Sequence, residues 1–166
     1  MHPKVEQLAA RFKAALDDVE AGRRRRQEAE AQGRAAARAA REKLLSDLAE
    51  FAQAVGHITV GKADGRLTLA WGGQSLTFAE VGDAGLIRVV MGDDTADAEA
   101  SPIRIYQHPR LDGAWVLGVM RDGIEDVEPL FEAGLVHLLA EGLGMPRPEP
   151  APPTAQLPLD ELVPDP

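Results

Sequence analysis

The chain has 166 residues, of which 45% are apolar, and its formal net charge at neutral pH is −9. This composition is typical of a globular domain, and the length allows one core of ordinary size. The absence of cysteine excludes structural disulfides, thiol catalysis and cysteine-based zinc sites. No apolar stretch approaches the ~20 residues that span a bilayer, and no signal-peptide pattern precedes the first helical region, so we expect a cytoplasmic, bacterial-type protein.

Apolar residues at helical spacing dominate the first third of the chain. Large side chains recur at steps of three and four residues at both ends of region 3–55, and small ones continue the same stripe between them. The large residues are Val5, Leu8, Phe12, Leu16, Val19, Leu44, Leu48, Phe51 and Val55. We predict one long helix, which would reach on the order of 80 Å. A helical hairpin that turns at Gly22 is the alternative.

A helix of this length extends beyond any single small domain, so its apolar stripe needs a partner. We therefore predict a homodimer in which the N-terminal helix self-associates, as a coiled coil or a related pair. The predicted oligomer interface comprises Leu8, Phe12, Leu16, Leu44, Leu48 and Phe51. The number of subunits and their orientation stay open at this stage.

The middle of the helical region is basic, although the chain as a whole is acidic. Residues 22–43 contain eight basic and three acidic side chains, whereas residues 56–166 contain seven basic and eighteen acidic ones. A basic segment on an acidic protein indicates a surface that meets an anionic partner. The candidate residues are Arg23, Arg24, Arg25, Arg26, Arg34, Arg38 and Arg41. A solvated helix flank is the favoured interpretation, because no aromatic residues are interleaved for nucleic-acid binding.

Beyond Gly56 the apolar pattern changes from the helical period to strict alternation, which is typical of strands. Six short alternating runs occur between residues 58 and 119, and Asp64-Gly65 between the first two is a strong hairpin signal. We predict a six-stranded antiparallel meander with one apolar face. The other face carries small and apolar residues, and we expect it to pack on the N-terminal helix or, as the alternative, on a second subunit.

The C-terminal part contains one more helix and a tail. A helix is expected to start at Glu128-Pro129, to cover the sheet and to end at Gly144. The following segment is rich in proline, alanine and acid, which is typical of disorder. Within it, the apolar residues Leu157, Leu159 and Leu162 are candidates for docking on a partner. The predicted domains are a helical arm (1–55), a sheet-plus-helix domain (56–145) and a disordered tail (146–166).

Three patterns resemble chemical sites but fail in their details. Residues 56–63 nearly match a phosphate-binding P-loop, yet a helix precedes them and a hairpin follows, which inverts the required order. The acidic loop at residues 92–101 lacks the glycine and the final glutamate of a calcium loop. His137 and Glu141 share a helical face but provide only two metal ligands. We therefore expect no enzyme activity, no cofactor and no metal.

Taken together, these patterns predict an α+β protein: a long N-terminal helix, a six-stranded antiparallel sheet, a C-terminal helix and a disordered tail. The predicted function is a non-enzymatic, self-associating adaptor module. Size, acidity and the helix–sheet–helix plan resemble type III secretion chaperones in architecture, which would imply a small chaperone that holds a client segment. A further alternative is a nucleic-acid-binding coiled coil that uses the basic stretch at residues 23–43.

Overall fold

A computed structural model describes residues 3–82, 85–92 and 100–149. The predicted docking residues of the tail lie outside this described part. The first helix, α1, comprises Pro3–Val55. Seven strands follow: β1 (Thr59–Ala63), β2 (Arg66–Trp71), β3 (Gln74–Glu80), β4 (Ile87–Met91), β5 (Ile103–Gln107), β6 (Trp115–Arg121) and β7 (Ile124–Pro129). A π-helical turn, Leu130–Gly134, leads into the helix α2, Leu135–Leu143. This architecture confirms the predicted α+β class.

The N-terminal helix is continuous over all 53 of its residues, so the hairpin alternative is wrong. Gly22 and Gly33 lie within it without interrupting it. A glycine costs only about 1 kcal/mol relative to alanine in a helix, and the surrounding alanine, arginine and glutamate residues have high helix propensity. The high helix propensity of the neighbouring residues therefore outweighs the free-energy cost of the two glycines, and the helix continues through both.

The strands form one antiparallel sheet in sequential order from β1 to β7. The first hairpin forms where the sequence predicts it, at Asp64 and Gly65, whose φ angles are +49° and +72°. Positive φ at both central residues matches the right-handed twist of the flanking strands, and aspartate followed by glycine tolerates it. This turn fixes the register, in which Val60 pairs with Leu69.

The seventh strand is missing from the sequence prediction, which assigned its last residues to the start of the C-terminal helix. β7 pairs antiparallel with β6 at the edge of the sheet. The register turns Asp126 and Glu128 to the same side as buried Leu117, and places Val127, which is 41% exposed, on the opposite side. A strand with inward charges and an outward apolar residue has no apolar alternation to detect, and such charges are a common protection of sheet edges.

The hydrophobic core lies on one face of the sheet, here called the core face. Alternate residues of the strands contribute to it, together with one side of α1 and one side of α2. The α1 members are Leu44, Leu45, Leu48, Ala49 and Ala52. Both helices therefore cover the core face, and the expectation that α1 packs on the opposite, outer face is wrong. An added Cβ at Gly61 on the outer face would meet only Thr68 within 4 Å.

Candidate functional site

The most conspicuous feature of the surface is the arm, which we define as residues 3–36 of α1. Every residue of the arm is exposed except Gly22, which is half-buried. At about 1.5 Å per residue the arm is about 50 Å long. The last part of α1, residues 41–52, contributes instead to the core. The described residues from Arg41 onward are here called the body, so one helix belongs to both the arm and the body.

The arm carries a stripe of large apolar side chains that no described residue covers. Val5, Leu8, Phe12, Leu16 and Val19 are between 51% and 64% exposed. These residues recur every three or four positions and therefore share one side of the helix. The neighbouring turns of the helix shield part of each side chain, and the remainder faces water. A continuous apolar side of this kind indicates an interaction surface.

The predicted oligomer interface is divided by the fold into two unrelated groups. Leu8, Phe12 and Leu16 lie on the arm, where they are free to meet another molecule. Leu44 and Leu48 are only 1% and 0% exposed, and Phe51 packs against the same core. The stripe continues along the helix, but its C-terminal part meets the sheet of the same chain. Leu44 and Leu48 are therefore core residues, and their assignment to the interface is wrong.

Two glycines of the arm have no packing explanation within the chain. An added Cβ at Gly22 or Gly33 would meet no atom beyond the local helix within 4 Å. Their φ angles lie outside the positive range that favours glycine. Each glycine nevertheless costs the helix about 1 kcal/mol relative to alanine. Close approach by another molecule would account for both.

The seven arginines predicted to bind an anionic partner are not equivalent. Those at positions 23–26 and 34 are exposed, and Arg26 Nε donates a 3.4 Å hydrogen bond to the carbonyl oxygen of Gly22. Arg38 is also exposed but forms an ion pair with Glu42, at 3.1 Å. Binding of an anionic partner by these six residues stays a prediction.

Arg41 differs from the other six arginines because it is buried. Arg41 is only 6% exposed, and its Nε lies 3.5 Å from a carboxylate oxygen of Glu80 on β3. A buried guanidinium held by a carboxylate of the body is not available to an external anion. Arg41 is therefore removed from the predicted binding residues. It is the first residue of α1 that is buried against the body.

The outer face of the sheet holds a polar cluster that the sequence analysis missed. Arg104 on β5 donates two hydrogen bonds to the carboxylate of Glu125 on β7, at 2.6 and 2.8 Å. The guanidinium carbon also lies 5.1 Å from the centre of the Tyr106 ring. Gly118 on β6 leaves the necessary room, since a Cβ there would overlap the carboxylate. Arg104 and Glu125 are 21 positions apart in the sequence, so only the strand register brings them together.

The arginine determines the ionisation of this cluster. Hydrogen bonds from Arg104 hold the pKa of Glu125 below its usual value, and burial acts in the opposite direction. The same hydrogen bonds raise the pKa of Arg104. The pKa of Tyr106 is raised, mainly because burial disfavours the charged phenolate. This ion pair joins β5 to the edge strand β7 and stabilises the edge of the sheet.

Replacing Glu125 by glutamine is expected to reduce stability by about 1 kcal/mol at neutral pH, the upper end for partly exposed pairs. Because the folded-state pKa of Glu125 is lowered, its contribution is present above the unfolded value of 4.5 and is lost as pH falls through the folded pKa. The free energy of unfolding is measured with urea at pH 7 and pH 3, for the unmodified chain and for Glu125→Gln. A stability difference between the two that grew on acidification would contradict the lowered pKa of Glu125.

The other predicted or excluded sites show no convergence of chemical groups in the described residues, and residues 93–99 of the acidic loop lie outside them. Residues 61–63, the end of the P-loop-like pattern, lie in strand β1, so that interpretation stays excluded. His137 Nδ1 lies 3.8 Å from Glu128, while Glu141 pairs with Arg147. Within the described ranges, no group of three or more potential metal ligands occurs. Nor does any helix in that part of the chain have an apolar stretch able to cross a membrane.

Comparison with known protein families gives a match to part of the chain. A family model described as Domain of Unknown Function (DUF349) matches residues 7–68, which is less than half of the chain. The matched region covers most of the arm, the buried end of α1 and the first hairpin. No curated protein and no solved structure matches the chain.

Proposed function

We propose that this chain is a non-enzymatic, self-associating interaction module that dimerises through its arm. The observation that carries the proposal is the exposed apolar stripe from Val5 to Val19, which has no partner among the described residues. A partner that covers these five large apolar side chains stabilises the complex by about 25 cal/mol for each Å² of apolar surface removed from water. A second arm offers the same side chains and can cover this stripe along its length.

The geometry of α1 prevents the chain from covering the stripe itself. Because the helix is continuous, the arm cannot fold back on its own body. The body contacts α1 near its C-terminal end, where β1 and β2 lie against it. The distance from Arg41 to Val5 is about 54 Å along the helix axis, which is far beyond the reach of the adjacent strands.

An adaptor role follows from what the dimer leaves accessible. The exposed arginines of the arm and the outer face of each sheet remain available to further partners. The body is acidic and the centre of the arm is basic, so the two regions favour different partners. In this proposal the arm mediates dimerisation, and the bodies bind further partners.

Solution mass by light scattering tests the proposal. The structure dictates which truncation to use: a chain that starts at residue 56 would lose core residues such as Leu44 and Leu48, whereas one that starts at residue 37 keeps them. The intact chain is expected at twice its 17.8 kDa mass. The truncated chain is expected to be a folded monomer.

Circular dichroism of the truncated chain serves as the control, since a sheet signal shows that the body is intact. An intact chain that is monomeric at concentrations up to the millimolar range would overturn the proposal. A truncated chain that remained dimeric would also overturn it, because the interface would then lie in the body.

A further inference from the structure

The apolar stripe of the arm fits a seven-residue repeat at four of its five large residues, and the fifth, Leu16, lies one position beside it. Such a repeat is the pattern of a left-handed coiled coil, in which the first and fourth positions of each heptad face the partner helix. Here the first positions are Val5, Phe12, Val19, Arg26 and Gly33, and the fourth are Leu8, Ala15, Gly22, Ala29 and Ala36. Large residues dominate the N-terminal half of this seam, and small residues dominate the C-terminal half.

The body begins beyond the C-terminal end of this seam. Arg41, Leu44 and Leu48 are buried against the sheet of their own chain, whereas Lys43 and Glu50, which continue the repeat, are exposed. The side of α1 that packs on the sheet is therefore not the side that continues the seam. In a parallel pair the two acidic bodies would lie side by side at the same end, where their like charges repel, whereas an antiparallel pair places them at opposite ends.

We propose that two arms pair antiparallel, with the two-fold axis between residues 20 and 21, so that paired residue numbers sum to 41. This inference deepens the proposed function and rests on it. Each layer then joins one first-position residue to one fourth-position residue of the partner. The layers are Val5 with Ala36, Leu8 with Gly33, Phe12 with Ala29, Ala15 with Arg26, and Val19 with Gly22. The paired region ends at residue 38 of each chain, just before the buried Arg41.

The sizes of the side chains support this register. Each large apolar residue of the seam faces alanine or glycine, so the two helix axes keep a nearly constant separation. A parallel pair would place Phe12 on Phe12 at one end and Gly33 on Gly33 at the other, and the separation would vary along the pair. The two glycines that have no packing role within the chain lie opposite Leu8 and Val19, where close approach requires a small residue.

Charged residues of the arm are compatible with the same arrangement. Arg26, the one charged residue of the seam, faces Ala15 and can extend its guanidinium to water. In a parallel pair it would face the same arginine of the partner across the seam. Asp18 and Arg25 both flank the seam and lie side by side across the antiparallel pair, once on each side of the two-fold axis.

Antiparallel pairing separates the two bodies. The Arg41 residues of the two chains lie about 60 Å apart along the paired helices. The dimer is thus a rigid spacer with an acidic body at each end and a basic centre. A partner with two binding sites at that spacing would bind both bodies at once and gain affinity from the linkage.

Cysteine cross-linking tests the orientation, because the chain has no cysteine of its own and each introduced one is unique. The variants Val5→Cys and Ala36→Cys are made separately and oxidised alone or as a mixture. A disulfide requires Cα atoms within about 7 Å. In the antiparallel pair, residue 36 of one chain meets residue 5 of the other, whereas identical positions lie about 46 Å apart.

The expected result is a disulfide-linked dimer in the mixture and none in either variant alone. Ala15→Cys mixed with Arg26→Cys provides a second pair in case Val5→Cys weakens assembly. Disulfides within each single variant would show a parallel pair and overturn the inference, while the proposed dimer would stand. If light scattering shows dimers but neither mixture forms a disulfide, the antiparallel register is also overturned. Monomers by light scattering for the unmodified chain would overturn the proposed function itself.

Discussion

Phe12→Asp is expected to convert the dimer into a folded monomer. Phe12 lies in the middle of the apolar stripe and is 64% exposed in the single chain. Burying an unpaired carboxylate at each of the two equivalent positions costs about 2 kcal/mol or more per position. The dissociation constant should therefore rise about a thousandfold. Sedimentation equilibrium over a range of concentrations measures it.

The matched control is Ala10→Asp, which adds the same charge to the same helix. Residue 10 is exposed and lies about 200° around the helix from residue 12, on the side away from the stripe. This variant should dimerise as the unmodified chain does. Equal dissociation constants for Phe12→Asp and the unmodified chain would show that the stripe is not the interface.

Leu48→Asp is expected to unfold the body. Leu48 is completely buried between α1 and the sheet. Truncating a buried leucine costs about 2–5 kcal/mol, and the unpaired charge adds several more. This sum is comparable to the entire stability of a typical domain, which is about 5–15 kcal/mol. Loss of the cooperative thermal transition and of the near-ultraviolet circular dichroism of Trp71 and Trp115 would show it.

Gln53→Asp is the control for this second variant, because residue 53 is exposed on the same helix. Its cost should stay within about 1 kcal/mol, the usual effect of an acidic residue near a helix C-terminus. A folded, monomeric Leu48→Asp protein would instead place Leu48 in the dimer interface. The two aspartate variants thus separate the two functions of α1: assembly through the arm and core packing through its C-terminal end.

Periodicity alone predicts a large part of this fold. The helix α1, the alternation of the first six strands and the turn at Asp64-Gly65 are local properties, since each depends on residues a few positions apart. The end of α2 is equally local: Gly144 adopts a φ of +68°, as a glycine after the last helical turn commonly does. The edge strand β7 escapes prediction because two of its charged residues, Asp126 and Glu128, lie on the core face of the sheet.

Local sequence patterns are enough to establish that α1 is long, that it carries one apolar stripe from end to end and that its centre is basic. What each part of the stripe contacts depends on the tertiary structure. Leu8 and Leu48 have the same side chain and the same position in the helical pattern, yet one faces water and the other fills the core. The difference arises because the sheet is shorter than the helix and covers it only from Arg41 onward. The pairing of Arg104 with Glu125 was likewise decided by strand register, which no local pattern encodes.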